Sequence, residues 1–249
     1  MSKNMQVELN LRLKMLYNMM PCCEKLGDVG TDHGFLPIYS ILNNKCTTAL
    51  ASDLRIGPLK IANKNIKEAG LEHKIETLLT PGLEGYNEKN CDVIVIAGMG
   101  GLTICDILND WIKCCHQINY FPGNITFVLQ PNTHESEVRK FLWDNSFAIL
   151  DERSVKDGNH VYLGICCKLL SKKESFSKLQ TYTGKIMHQR LNADDIVYYK
   201  NLINKYTNVL IGLSKRKDDD KDLERISFIK DLLIELDNIL TGEIKKYES

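Results

Sequence analysis

The sequence predicts an α/β fold: a doubly wound, mostly parallel sheet with an antiparallel last strand, followed by a C-terminal α-helical hairpin. Three observations carry that expectation. Up to about Leu170, short β-branched apolar runs alternate with longer segments of helical period, the pattern of a parallel sheet covered on both faces. The run "VIVIA" (93–97) is apolar at every position, as a central strand buried on both sides must be. "KDGNH" (156–160) is a turn signal with no helical segment around it, so the two runs flanking it pair as an antiparallel hairpin.

Taken in order, the strand signals are 24–29, 47–52, 74–79, 91–97, 125–130, 147–155 and 160–170. Helical period fills 36–43, 57–69, 101–116 and 134–145; the plan is read as five βα units closed by an antiparallel pair, although four helical segments are marked. Residues 171–190 are polar and basic with little periodicity and are expected as a linker or docking segment. Two amphipathic helices follow. Ile196, Tyr199, Ile203, Tyr206, Leu210 and Leu213 form one stripe. Leu223, Ile226, Lys230, Leu233, Leu236 and Leu240 form the other, broken by the lysine. "SKRKDDDKD" (214–222) is expected as the solvated loop between them. The domain division is therefore 1–170 and 171–249, the second part being either a stabilising appendage or a substrate-binding extension.

The chain has 249 residues, 43% hydrophobic and 26% charged, with zero formal net charge, so the global balance excludes a uniformly basic nucleic-acid binder. The zero conceals an asymmetry. Lys172 to Lys217 carries a net +7, and Asp218 to Ser249 a net −5. A charge run is often only a solvated face, but this one also suits a polyanion. Nine cysteines include no C-x-x-C and sit mostly in apolar segments, where a free thiol packs as a small hydrophobe. No metal is expected, and the setting is read as reducing and cytoplasmic. The first residues lack the apolar run of a secretory signal, and "VIVIAGMGGLTIC" is too short to span a bilayer, so no membrane partner is expected. A monomer is the expected state.

The chemistry concentrates in "GDVGTDHGFLP" (27–37), at the end of the first strand. A pyrophosphate site wants G-x-G-x-x-G, and this spacing, Gly27, Gly30, Gly34, fails it. Asp28 and Asp32 repel phosphate. They suit a ligand carrying an ammonium and a sulfonium, which S-adenosylmethionine does; a tight turn with an aspartate cap is the plainer alternative. The second strand ends in Ser52-Asp53, where a carboxylate can accept ribose hydroxyls, a placement shared by dinucleotide and S-adenosylmethionine sites. In "QPNTHESE" (130–137), Asn132 and Glu135 fit a variant capping box, and Gln130 and Asn132 can also meet the edge of a base. His134 and Glu135 have no third ligand.

"GDVGTDHGFLP", "ASDLRIGPL", "VIVIAGMGG" and "LQPNTHESEVRKFL", in this order and spacing, resemble the bacterial tRNA (adenine-N1)-methyltransferases that act on adenine 22, the TrmK family. The resemblance runs from about Leu11 to Leu163. It implies a class I methyltransferase (Rossmann-like) fold with a coiled-coil extension, S-adenosylmethionine as cofactor and tRNA as partner. Carried over, Asp28, Gly30, Asp32 and His33 line the cofactor side of the first loop. Asp53 holds the ribose with Leu54 beside the adenine, and Gly82 and Leu83 lie along the adenine edge. Ala97, Gly98 and Met99, which end the fourth strand, are expected to line the cofactor as well. The chain departs from the family's G-D-G-L with "TPGL" (80–83), where Pro81 has no side-chain acceptor and no N–H to offer adenine. Asp32 is the expected catalytic carboxylate and His33 the alternative. Lys172, Lys173, Lys178, Lys185 and Arg190 are the expected phosphate contacts. The other readings are the same fold acting on another substrate, or a non-catalytic RNA-binding scaffold.

Overall fold

The computed structural model describes residues 7–86, 90–118, 124–170, 173–215 and 220–242, with no side-chain description for 220 and 221. The chain divides into two compact units, Met1–Ser175 and Phe176–Ser249.

The first unit is a seven-stranded sheet in the order β3-β2-β1-β4-β5-β7-β6. Its strands are β1 (Cys23–Val29), β2 (Cys46–Asp53), β3 (Ile75–Leu79), β4 (Val93–Met99), β5 (Thr126–Pro131), β6 (Phe147–Asp157) and β7 (His160–Leu169). All pairs from β3 to β5 are parallel, and β7 runs antiparallel to both β5 and β6. The helices are α1 (Leu11–Met19), α2 (Phe35–Leu42), α3 (Ile56–Glu68), α4 (Gly101–Gln117) and α5 (Glu135–Asp144). No helix joins β3 to β4 among the described residues, so four βα units stand where five were expected.

Core burial follows the pattern in the sequence. Val93 to Ile96 of β4 are at most 1% exposed, because α4 and its neighbours cover one face and the α1–α2–α3 side the other. α5 is tied to β6 by an ion pair between Arg139 Nε and Glu152 Oε1 at 2.6 Å, both side chains fully buried. α1 was not expected. Asn10 caps it, its Oδ1 accepting from the Leu13 N–H at 2.8 Å, and Met15, Leu16 and Met19 bury its inner face. It lies against β5, β6 and β7, covering the antiparallel end of the sheet.

In the second unit the expected linker is partly structured. α6 (Lys178–Thr183) opens on a Ser177–Gln180 capping box, and a 3-10 turn spans Met187–Arg190. α7 (Ala193–Ser214) opens on a second box, Asn192–Asp195, and α8 (Asp220–Thr241) packs against α6 and α7. The expected loop 214–222 is shorter than the sequence indicated: Ser214 and 220–222 are helical, and 216–219 lie outside the described residues. The first stripe holds from Tyr199 to Leu213, both buried, with Ile196 exposed at its start; the second is offset, with Leu223 exposed and Ile229, Leu232, Leu236 and Ile239 buried. The stripe through Ile229 contains no lysine, so packing chose the ladder that buries no unpaired charge.

Candidate functional site

In the order β3-β2-β1-β4, successive strands are added in one direction from β1 to β3 and in the other from β4, and a crevice opens between β1 and β4 outside the strand ends. Register sets the neighbours. Val29 lies beside both Ser52 and Ile96, so Asp28–Gly30, Asp53 and Ala97–Met99 come together at three adjacent strand ends. Leu79 pairs with Asp53, which brings Thr80–Leu83 to the far side of β2.

The turn after β1 is tightly built. Gly30 and Thr31 both donate their N–H to the Ser52 carbonyl, at 2.9 and 2.8 Å. Gly30 sits at φ +74°, and a Cβ there would come within 3.0 Å of Met99 Cε, so a larger residue would be strained and crowded. Asp28 is buried and accepts a 2.6 Å hydrogen bond from the Thr31 hydroxyl. Burial pushes its pKa up to about 6, against the lowering effects of Thr31 and the Arg12 guanidinium. Asp32 takes a left-handed conformation, φ +53°, which aspartate tolerates better than most residues, and its side chain is 66% exposed. His33 Nε2 lies 3.5 Å from Asp32 Oδ2, and the His33 carbonyl is held by Asn65 Nδ2 at 2.8 Å.

Asp28, Gly30, Asp32, His33 and Ala97 line one cavity of about 220 Å³, joined by Arg12 and Leu13 of α1 and by its cap Asn10. Asp53 is buried at the end of β2, its Oδ1 accepting from the Arg55 N–H at 2.9 Å, and Leu54 beside it is 68% exposed. Gly82 and buried Leu83 line a second cavity of about 460 Å³ against α4, apart from the Asp28 cavity. Behind the strand ends, the Tyr86 hydroxyl meets Ser52 Oγ at 2.8 Å; burial raises the Tyr86 pKa.

Gly98 stands at a bulge in β4, φ +78°, between the Ala97–Gln130 and Met99–Pro131 pairs. Arg12 fills the space beside it: a Cβ on Gly98 would lie 3.2 Å from Arg12 Nη1. Arg12 is the site residue that sequence reasoning missed. Its only signal was Asn10, a cap two residues earlier, at the head of the Leu9, Leu13, Leu16, Met20 ladder.

Two expectations are corrected here. Gln130 is fully buried with its amide bonded on both sides, so it does not itself meet the edge of a base. The Asn132–Glu135 capping box does not form, because α5 begins at Glu135 and its cap position is His134 in a left-handed conformation. Asn132 is exposed, and its N–H donates to the Met99 carbonyl at 2.8 Å.

Of the expected phosphate contacts, Lys172 lies outside the described residues. Lys173, in the first unit, is ion-paired with Asp144 at 3.1 Å, and lysine contacts, Lys140 first, hold the Asp144 pKa below the usual carboxylate range. In the second unit, Lys178 stacks its ammonium 4.2 Å from the Phe228 ring centroid, Lys185 is half-buried and Arg190 is exposed. Among the described residues, no three His, Cys, Asp or Glu side chains gather as a metal site, and no helix is long and apolar enough to cross a membrane.

Known proteins are similar to this chain in sequence and fold. The chain is 24% identical over 230 residues to the tRNA (adenine(22)-N(1))-methyltransferase of Bacillus subtilis (strain 168), covering 91% of this chain and 94% of that one. The structure of M. capricolum TrmK in complex with the cofactor product S-adenosylhomocysteine is 29% identical, with a TM-score of 0.76 over 93% of this chain and 99% of that one. A Streptococcus agalactiae protein of the NADB-Rossmann superfamily is also 29% identical, with a TM-score of 0.79 over 96% and 100% of the two chains. A family model described as a methyltransferase domain matches residues 9–165, the span that holds every strand end of the crevice, and the chain belongs to that family.

Proposed function

We propose that this chain transfers a methyl group from S-adenosylmethionine to N1 of an adenine in tRNA, at position 22 by likeness to the Bacillus relative, and that it works as a monomer in the cytoplasm. The observation that carries the reading is the buried Asp28 carboxylate at the end of β1, beside Asp53 and the opened turn at Gly98. A carboxylate held out of water is costly unless a cation answers it, and the ammonium of the methionine moiety is such a cation. Asp53 commits Oδ1 to the Arg55 N–H, which leaves Oδ2 for a ribose hydroxyl. Exposed Leu54 offers an apolar face to the adenine. Gly82 and Leu83 belong to a neighbouring cavity, so their part in adenine binding is limited to its outer edge.

S-adenosylmethionine supplies an electrophilic methyl: as the N1–C bond forms, the C–S bond breaks and its electron pair stays on sulfur. The protein's task is alignment, because N1 already carries an in-plane lone pair. Asp32 stands at the lip of the cavity, where its exposed carboxylate stabilises the cationic product or takes a proton from N6, with His33 3.5 Å away as its partner. Since N1 lies on the pairing edge, the target adenine is unpaired or flipped. Lys178, Lys185 and Arg190, with Lys172 and Lys173, meet tRNA phosphates.

The test is incubation of the purified protein with methyl-labelled S-adenosylmethionine and unmodified tRNA transcripts, followed by digestion to nucleosides. Labelled N1-methyladenosine mapping to adenine 22 is the expected result. Label on another nucleoside, or none, overturns the reading.

A further inference from the structure

Gln130 sits under the strand ends with 0% exposure and makes four hydrogen bonds. Its Oε1 accepts from Arg12 Nη1 at 2.8 Å and from the Gly98 N–H at 3.2 Å. Its Nε2 donates to the Pro131 carbonyl at 2.9 Å and to Asn132 Oδ1 at 3.0 Å. An amide's two ends are easily exchanged when its partners are ambiguous, but these are not. A guanidinium and a backbone N–H only donate, and a carbonyl only accepts, so Gln130 has one orientation. The consequence passes one residue further. Facing the Nε2–H of Gln130, Asn132 must present its oxygen, and its NH2 is turned away. That NH2 has no protein acceptor among the described residues, while the Asn132 N–H bond to Met99 O keeps the residue beside Gly98 and Met99.

We infer that Gln130 is a positioning residue that locks the amide of Asn132, and that Asn132 reads the N7/N6 edge of the target adenine; this rests on the function proposed above. The NH2 donates to N7, and the second lone pair of Oδ1 accepts from N6–H, the two-point match of an asparagine to adenine. N1 lies on the opposite side of N6 from N7, so a base held this way keeps N1 free for the methyl donor. Guanine carries an acceptor, O6, where Oδ1 requires a donor. The lock also denies Asn132 the flipped amide that would turn its NH2 toward O6. Arg12 belongs to the same device, its charge anchoring the far end of the chain of amides.

The experiment uses the full chain and a tRNA whose target adenine is replaced by 7-deazaadenine, which removes N7 and leaves N1 and N6 in place. The wild-type protein is expected to lose about tenfold or more in kcat/KM on this substrate. Asn132→Ala should lose a similar factor on normal tRNA and show no further loss on the 7-deaza substrate. Gln130→Glu keeps an acceptor for Arg12 and Gly98 but has no donor for Asn132. It should also lose the discrimination, while its affinity for S-adenosylhomocysteine, measured by calorimetry, stays within about threefold, as the unmoved cofactor cleft requires. Equal wild-type rates on both substrates would overturn the inference, as would losses that simply multiply in Asn132→Ala. If Gln130→Glu does not fold, as judged by thermal melting, the exposed Asn132 variant decides alone. Failure of the wild type to form N1-methyladenosine on unmodified tRNA is a different outcome, and it removes the function proposed above together with this inference.

Discussion

The turn after β1 and the second unit both carry charge, and they hold it in opposite ways. Asp28 is buried, bonded by Thr31, and raised toward neutrality by its surroundings. Lys178 and Arg190 are exposed on a short helix and a 3-10 turn. A small ligand is recognised by a few groups fixed before it arrives, and each buried charge then acts strongly because water does not compete. A polyanion is recognised by many weak, solvated charges that release counterions, and no single one is indispensable. The first region should therefore be sensitive to single substitutions and insensitive to salt, and the second the reverse.

The largest effect expected of that comparison is on turnover. Asp32→Asn keeps the left-handed turn, which asparagine also tolerates, and removes the charge. It should lower kcat by about a hundredfold or more, with cofactor affinity nearly unchanged; equal kcat in the two proteins would exclude Asp32 from the chemistry.

Next comes a stability effect of unusual sign. The folded pKa of Asp28, about 6, lies above its ordinary value, so the fold favours the protonated form. Stability from this group is fully present below pH ~4 and is lost as pH rises through 6, by roughly 3 kcal/mol at most. Asp28→Asn should raise the Tm of the free protein at pH 7.5, with the gain shrinking as pH falls from about 6 to about 4 and gone below that, and should weaken binding of S-adenosylmethionine. A variant less stable at pH 7.5 would mean that Asp28 is already compensated within the protein.

The smallest effect belongs to the second unit. Lys178→Ala or Arg190→Ala should lower the slope of log tRNA affinity against log salt by about one each and leave cofactor affinity alone. An unchanged slope would make those residues a solvated face and nothing more.

How legible all this was in the sequence varies by residue. "VIVIA" announced a buried central strand because an all-apolar run has no other stable place in a sheet. The turn "GDVGTDHG" was legible because acidic residues and wrongly spaced glycines exclude a phosphate. α1 carries a cap, Asn10, and an apolar face, but nine residues make a weak periodic signal, and its packing on β5, β6 and β7 completes it. The stripe of α8 was misread by one residue, because two offset ladders are both plausible on an isolated helix and the packing partners decide between them. Asn132 looked like a helix cap because its spacing to Glu135 is right, and spacing carries no information about where a helix begins.

The order of strands and helices, the reversal at β7 and the residues gathered after β1 and β2 were determined by the sequence itself, since each follows from local pattern and chain direction. The joining of Arg12 to Gln130 across 118 positions, the saturation of the Gln130 amide and the resulting polarity of Asn132 were decided only in three dimensions. Hydrogen-bond polarity is a property of partners, and partners distant in the chain are brought together only by the packing of α1 against the sheet.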